Sequence, residues 1–155
     1  MSNIRLILDN IRSVHNVGSI FRTAETIGVS KIYCVGTTPV PLDRFGRKRR
    51  DFAKVSLGAE EMINWEHVED GVELIKQLKK DGFYIISVEQ AEGSIDYRKV
   101  EPRQKTALIF GNEVGGVDKK LLKASDCIAE ILLKGQKESL NVSVTVGIVL
   151  FGIFH

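Results

Sequence analysis

Three glycines and one carboxylate crowd the stretch Gly111-Asn112-Glu113-Val114-Gly115-Gly116. Glycine lets a backbone turn tightly and come close to a ligand, and Glu113 is the only charge inside the turn. The run lacks the GxGxxG spacing of a dinucleotide fingerprint, so a nicotinamide cofactor is not indicated. Alone, it also reads as an ordinary tight connection with an exposed carboxylate. A second stretch, Lys134-Gly135-Gln136-Lys137-Glu138-Ser139-Leu140-Asn141, lies between two apolar runs. Gly135 can bend it, while Ser139 and Asn141 carry short hydrogen-bonding side chains. A solvated loop whose serine caps a helix would look the same. A third, Val14 to Ala24, sets the carboxamide of Asn16 at a helix entrance and the guanidinium of Arg22 on the helix above it. His15 is a candidate base there, although a lone loop histidine is more often solvated or capping. A fourth, Asp43 to Lys54, holds six basic residues against two acidic ones, a local charge of +4, with Phe45 and Phe52 interleaved. Clustered arginines bind phosphate, and aromatic or guanidinium planes stack on unpaired bases. The plain alternative is a solvated, mobile loop.

These segments need elements to position them. The 155 residues fit one domain with a sizeable core. With 43% hydrophobic and 27% charged residues the composition is that of an ordinary soluble globular chain. The net charge of +2 says nothing about nucleic acid by itself. Strands are expected at Ile4–Asp9, Lys31–Val35, Phe83–Glu89, Thr106–Phe110 and Cys127–Leu132. Helices are expected over Asn16–Gly28, with Asn16 as N-cap and Gly28 as stop, over Asp70–Lys80, and over Asp118–Ala124. Alternating strands and helices predict a mostly parallel α/β sheet covered on both faces. Ligands then bind beyond the carboxyl ends of the strands, in the loops after Asp9, Phe110 and Ile131. The last run conflicts with this order. Leu140, Val142, Val144, Val146 and Ile148 alternate with Asn141, Ser143, Thr145 and Gly147, so period alone predicts a strand.

Cys34 and Cys127 are far apart in apolar surroundings and form no metal-ligand cluster, so two buried thiols in a reducing compartment are expected and no metal. The first apolar run is broken by Arg5 and closed by Asp9, unlike a signal peptide. The run Val142–Phe154 is short and contains Ser143 and Thr145, which suits a buried segment better than a membrane span. A cytoplasmic protein is expected.

Taken in order, Asn16-Val17-Gly18 with Arg22-Thr23-Ala24, then Phe110-Gly111-Asn112-Glu113, then Gly135 followed by Ser139-Leu140-Asn141-Val142-Ser143-Val144 resemble the three motifs of the SpoU/TrmH family, the ribose-methylating branch of the SPOUT RNA methyltransferases. Val55-Ser56-Leu57-Gly58-Ala59-Glu60 is similar to the stretch between the first two motifs, and the resemblance spans nearly the whole chain. It implies a SPOUT-like sheet whose C-terminal part is tied in a deep trefoil knot, with Leu140–Phe154 a buried helix in the knot and a dimer interface. It implies S-adenosyl-L-methionine as methyl donor, its adenine held at Gly111, Ile131 and Leu140. Arg22 is the implied catalytic residue. Asn16 and Ser139 organise it and the substrate, Glu113 shapes the second-motif loop, and Asn141 supports that loop. The implied substrate is a ribose 2′-hydroxyl of tRNA or rRNA, and the implied assembly is a homodimer that completes the site.

Arg44, Arg47, Lys48, Arg49 and Arg50 are the candidates for RNA contact. With no separate RNA-recognition domain expected, residues 1–155 read as one catalytic domain. Leu132-Leu133 replace the usual Pro-Met, Val14 replaces a common proline, and Gly152 replaces a common acidic residue. The first two swaps are apolar and bear on loop rigidity more than on chemistry; the last bears on the terminal helix. Two alternatives stand beside this reading: a base-methylating SPOUT enzyme, which nucleoside analysis separates, and a non-catalytic RNA-binding relative, which titration with S-adenosylmethionine separates.

Overall fold

Side chains alternate across a strand, so Ile4, Leu6 and Leu8 must leave β1 (Asn3–Asp9) on one face and Ile7 on the other. The computed structural model, which describes residues 2–155, puts each set in a separate core. β1 lies third in a seven-stranded sheet of order β3-β2-β1-β6-β4-β7-β5. The other strands are β2 (Lys31–Val35), β3 (Asn64–Val68), β4 (Tyr84–Val88), β5 (Ile95–Asp96), β6 (Lys105–Gly111) and β7 (Cys127–Glu130), and every pairing is parallel. β7 is inserted between β4 and β5, which precede it in the chain.

On the Leu6 face lie α1 (Val14–Ile27), α2 (Arg50–Ser56), α3 (Ala59–Met62) and α6 (Val142–Phe154). On the Ile7 face lie α4 (Gly71–Lys80) and α5 (Lys119–Ala124). Each face is covered, which is what near-continuous apolar strands require.

The expected strands and three of the helices are present; β2 keeps its expected ends and the others shift by one or two residues. β7 stops at Glu130, short of Leu132. α1 starts at Val14 and is capped by Ser13, whose hydroxyl accepts from the Asn16 N–H at 3.1 Å, so Asn16 is not the cap. Asp70 and Asp118 turn out to be N-caps of α4 and α5.

The last segment is helical. Asn141 caps α6 by accepting from the Ser143 N–H at 2.9 Å. Val142, Val146, Val149 and Leu150 are its buried residues, a helical spacing that seats it on α1. The run is apolar at so many positions that it satisfies both periods, and packing decides between them. At Gly152 the ring of Tyr97 lies against the helix, so close that an added Cβ would meet Cε2 at 2.4 Å.

β3, β5, α2 and α3 were not anticipated. β3 is an edge strand with no buried residue, so it lacks a core-facing alternation. β5 is two residues long. α2 emerges from the basic run expected to be a loop, because Phe52 reaches the core and meets Phe21 of α1 edge-on, with ring centroids 5.1 Å apart. Among the described residues no helix is long and apolar enough to cross a membrane.

Candidate active site

A cavity of about 380 Å³ opens where β4, β6 and β7 end, bordered by Val88 and Glu89, Phe110 and Gly111, and Glu130 and Ile131. Parallel sheets hold ligands at this edge, and small-molecule sites run to roughly 300–1,000 Å³. The glycine turn adds Asn112, Glu113, Val114 and Gly116, and the approach to α6 adds Glu138, Ser139 and Leu140. The two loops that carry the second and third motif-like stretches therefore meet at one hollow.

The turn is tightly built. Asn112 and Gly116 exchange two backbone bonds, at 3.1 and 2.9 Å. The Asn112 side chain accepts from the N–H groups of Val114 and Gly115 at 2.8 and 3.0 Å and donates to the Asn10 carbonyl at 2.7 Å. Gly111 is the neck: an added Cβ would lie 2.2 Å from the Gly116 carbonyl carbon and the Val117 nitrogen. Two carboxylates hold the far end. Glu89 accepts from the Val117 N–H at 2.9 Å, and Asp9 accepts from the Asp118 N–H at 2.8 Å. Asp9 is buried, and that burial pushes its carboxyl above the ordinary 3.8 even though the Asp118 N–H pulls the other way.

Asn16 joins the motifs. Its Nδ2 donates to Glu113 Oε1 at 3.2 Å, and its Oδ1 accepts from Asn141 Nδ2 at 3.2 Å. Standing three residues past the cap, it is spared from capping α1 and can bridge the other two segments. Asn141 does not border the cavity; it caps α6 and reaches Asn16. Gly111, Ile131, Leu140, Glu113 and Ser139 do border it. Arg22 does not. It is exposed on α1 and makes no hydrogen bond or ion pair among the described residues. His15 is exposed in the first turn of α1.

The cavity's charge is one-sided. Glu89, Glu113, Glu130 and Glu138 border it, and among the described residues no lysine, arginine or histidine does.

The basic segment lies elsewhere and is partly neutralised. Arg47 pairs with Asp43 at 3.1 Å, Arg49 with Asp51 at 2.8 Å, and Lys48 with Glu61 of α3. Arg44 and Arg50 are exposed without an ion pair among the described residues. Local sequence could not show that α3 brings Glu61 back onto the run, so the +4 count overstates the exposed field.

Sequence reasoning passed over Asp9, Glu89 and Asn112. Glu89 stands at the carboxyl end of an expected strand, and that position was the available signal. Asn112 lay inside the glycine turn, where only Glu113 drew notice.

Residues 3–151 match the model of the SpoU rRNA Methylase family. The tRNA (guanosine(18)-2′-O)-methyltransferase of Aquifex aeolicus is 29% identical over 92% of this chain and 64% of its own length. A Staphylococcus aureus TrmH-family protein is 32% identical over 97% of this chain and 58% of its own. The chain thus spans about three fifths of these relatives. Among solved structures, the A. aeolicus TrmH/SpoU tRNA modifying enzyme superposes with a TM-score of 0.85 at 26% identity, covering 98% of this chain and 74% of that one. The AdoMet-bound rRNA methyltransferase of Sinorhizobium meliloti gives 0.86 at 28% identity, covering 97% and 55%.

Proposed function

The chain belongs to the SpoU rRNA methylase family, and from that premise we propose that it transfers a methyl group from S-adenosylmethionine to a ribose 2′-hydroxyl of tRNA or rRNA. The observation that carries this reading is the cavity's lining: aliphatic walls at Ile131, Leu133, Leu140 and Val142, four glutamates, and no cation among the described residues. A phosphate-bearing cofactor would meet like charge there, while a ligand bearing sulfonium and ammonium groups meets opposite charge. Adenine needs apolar walls and nearby backbone donors and acceptors, which Ile131, Leu140 and the Gly111 turn supply. S-adenosylmethionine, when bound, supplies an electrophilic methyl group on a positively charged sulfur.

This chain's residues do the rest. Asn16 holds Glu113 and Asn141 in register, so the walls that carry Glu113 and Ser139 keep a fixed separation. Arg22 orients the ribose and phosphate and stabilises the negative charge that develops on the 2′-oxygen. Because Arg22 stands away from the cavity of its own chain, the site is completed in a two-fold dimer. The side of α6 carrying Val144 and Phe151, 49% and 42% exposed, supplies apolar surface for that contact. The C-terminal part, with β7 threaded between earlier strands, forms the trefoil knot. The chain works as a single catalytic domain in the cytoplasm, and the segment from Arg44 to Arg50 meets the RNA.

The test is Arg22→Ala. Transfer of labelled methyl to unmodified tRNA and rRNA should fall by roughly 10²–10³-fold, as when one transition-state donor is lost. Calorimetric affinity for S-adenosylmethionine should stay within about twofold. Undiminished transfer by the variant would overturn the role of Arg22. Nuclease digestion showing a methylated base would favour base methylation, and a wild-type chain that binds no S-adenosylmethionine would be a non-catalytic relative.

A further inference from the structure

Between β2 and α2 the chain doubles back through a bridge between Leu42 and Lys48, and Phe45 stands at the tip. Asp43 holds this turn. Its Oδ1 accepts from the N–H groups of Phe45 and Arg47 at 2.8 and 2.9 Å, its Oδ2 accepts from Arg47 Nε at 3.1 Å, and its own N–H donates to the Arg47 carbonyl at 2.8 Å. Gly46 makes the bend with a φ of 78°. None of these bonds uses the Phe45 ring, which is 67% exposed. No hydrogen bond of the turn and no core packing calls for an aromatic there. Two guanidiniums lie over the ring, with Cζ of Arg44 at 4.9 Å and of Arg47 at 5.0 Å from its centroid, so a base that stacks there takes the place of one of them.

We infer that Phe45 is a preformed stacking platform for one unpaired nucleotide of RNA, whose base lies on the ring while Arg44 and Arg47 take the adjoining phosphates. This deepens the RNA reading of the preceding subsection and rests on it. An unpaired base is a ligand that needs a flat apolar face with positive charge beside it, and base–aromatic stacks tolerate any base. A membrane contact would need several neighbouring apolar side chains, whereas Leu42 is half-buried and the rest of the tip is polar. Inside a paired duplex both faces of each base are already covered by its neighbours. The Asp43 bonds fix the tip before binding, so little order remains to be imposed.

The platform is also tied to the first motif. The hairpin runs into α2, and Phe52 of α2 packs on Phe21, the neighbour of Arg22. A nucleotide held on Phe45 is thereby set at a fixed offset from Arg22, which makes the finger a determinant of which ribose is presented.

The experiment compares binding of a labelled eight-residue oligoadenylate and of a blunt RNA duplex by anisotropy, across a salt series. Phe45→Ala should weaken the single strand about tenfold, leave the duplex within twofold, and leave the salt slope unchanged. Phe45→Trp should restore the single strand. Arg44→Ser with Arg47→Ser should lower the single-strand salt slope by roughly 0.7 per arginine. Equal binding by Phe45→Ala and wild type, or an equal loss on both RNAs, overturns the platform alone. So does a variant that loses affinity for anionic vesicles but not for the single strand. A wild-type chain that binds S-adenosylmethionine but neither RNA overturns the platform together with the RNA substrate.

Discussion

Replacing Gly111 by alanine drives a methyl group into backbone. The added Cβ would stand 2.2 Å from the Gly116 carbonyl carbon and the Val117 nitrogen, and 2.5 Å from the Gly116 oxygen. Carbon contacts settle near ~3.5–4.0 Å, so the turn must move by roughly 1 Å, and no side-chain rotamer can relieve it. One response is to keep the turn closed under an overpacking penalty of about 1–3 kcal/mol. The other is to open it and lose the two backbone bonds between Asn112 and Gly116, about 2 kcal/mol at ~1 kcal/mol each. Either route costs about 2 kcal/mol in the conformation that forms the cavity wall, which lowers S-adenosylmethionine affinity by roughly 30-fold. Gly115→Ala is the control, because nothing lies within 4 Å of a Cβ there, and it should bind within twofold of wild type. Calorimetric titration of both variants, with urea unfolding in parallel, makes the comparison. Wild-type affinity in Gly111→Ala, or an equal loss in Gly115→Ala, would refute the reasoning.

Asn16→Ala removes the bonds to Glu113 and Asn141; at ~1 kcal/mol or less each to partners that can rehydrate, cofactor affinity should fall some 5- to 30-fold, and titration giving an unchanged constant would discard the hub. Burial pushes the Cys34 thiol up to about 12, and burial also raises that of Cys127; iodoacetamide at pH 8 should leave Cys34 unlabelled in the folded chain and modify it after denaturation, read by mass spectrometry. Asp9 has a folded pKa above its unfolded 3.8, so the folded state binds its proton more readily and the Asp9 contribution to stability declines as pH rises from 3.8 through the raised value. Urea midpoints from pH 4 to 7 should show that decline in wild type and lack it in Asp9→Asn; matching slopes would show that Asp9 is not responsible.

Much of the sheet was legible because β1, β2, β4 and β6 are buried strands, and long buried strands leave apolar runs. β3 was not, since an edge strand with no buried residue carries no such pattern. The glycine turn and the Ser139–Asn141 stretch could be found by residue type, but their meeting could not, because pairings such as Asn16 with Asn141 join residues 125 apart. α6 shows the limit most clearly. Its β-branched alternation favours a strand in isolation, and the Asn141 cap together with the seat on α1 overrides it. The basic run erred in the other direction, as Phe52 drew its second half into a helix and Glu61 arrived from beyond it to pair with Lys48.

The insertion of β7 between two strands made before it also sets a timetable for synthesis. The central ladder joins Asn3 to Lys105, so the middle of the sheet must wait while roughly a hundred residues are made, several seconds at ~5–20 residues per second. Contacts of such long range fold slowly. The hollow draws its wall from Val88 to Thr145, so no ribosome-bound chain that lacks the start of α6 has the whole hollow. Any ligand of the hollow is captured late, and a chain that holds it has already closed the sheet.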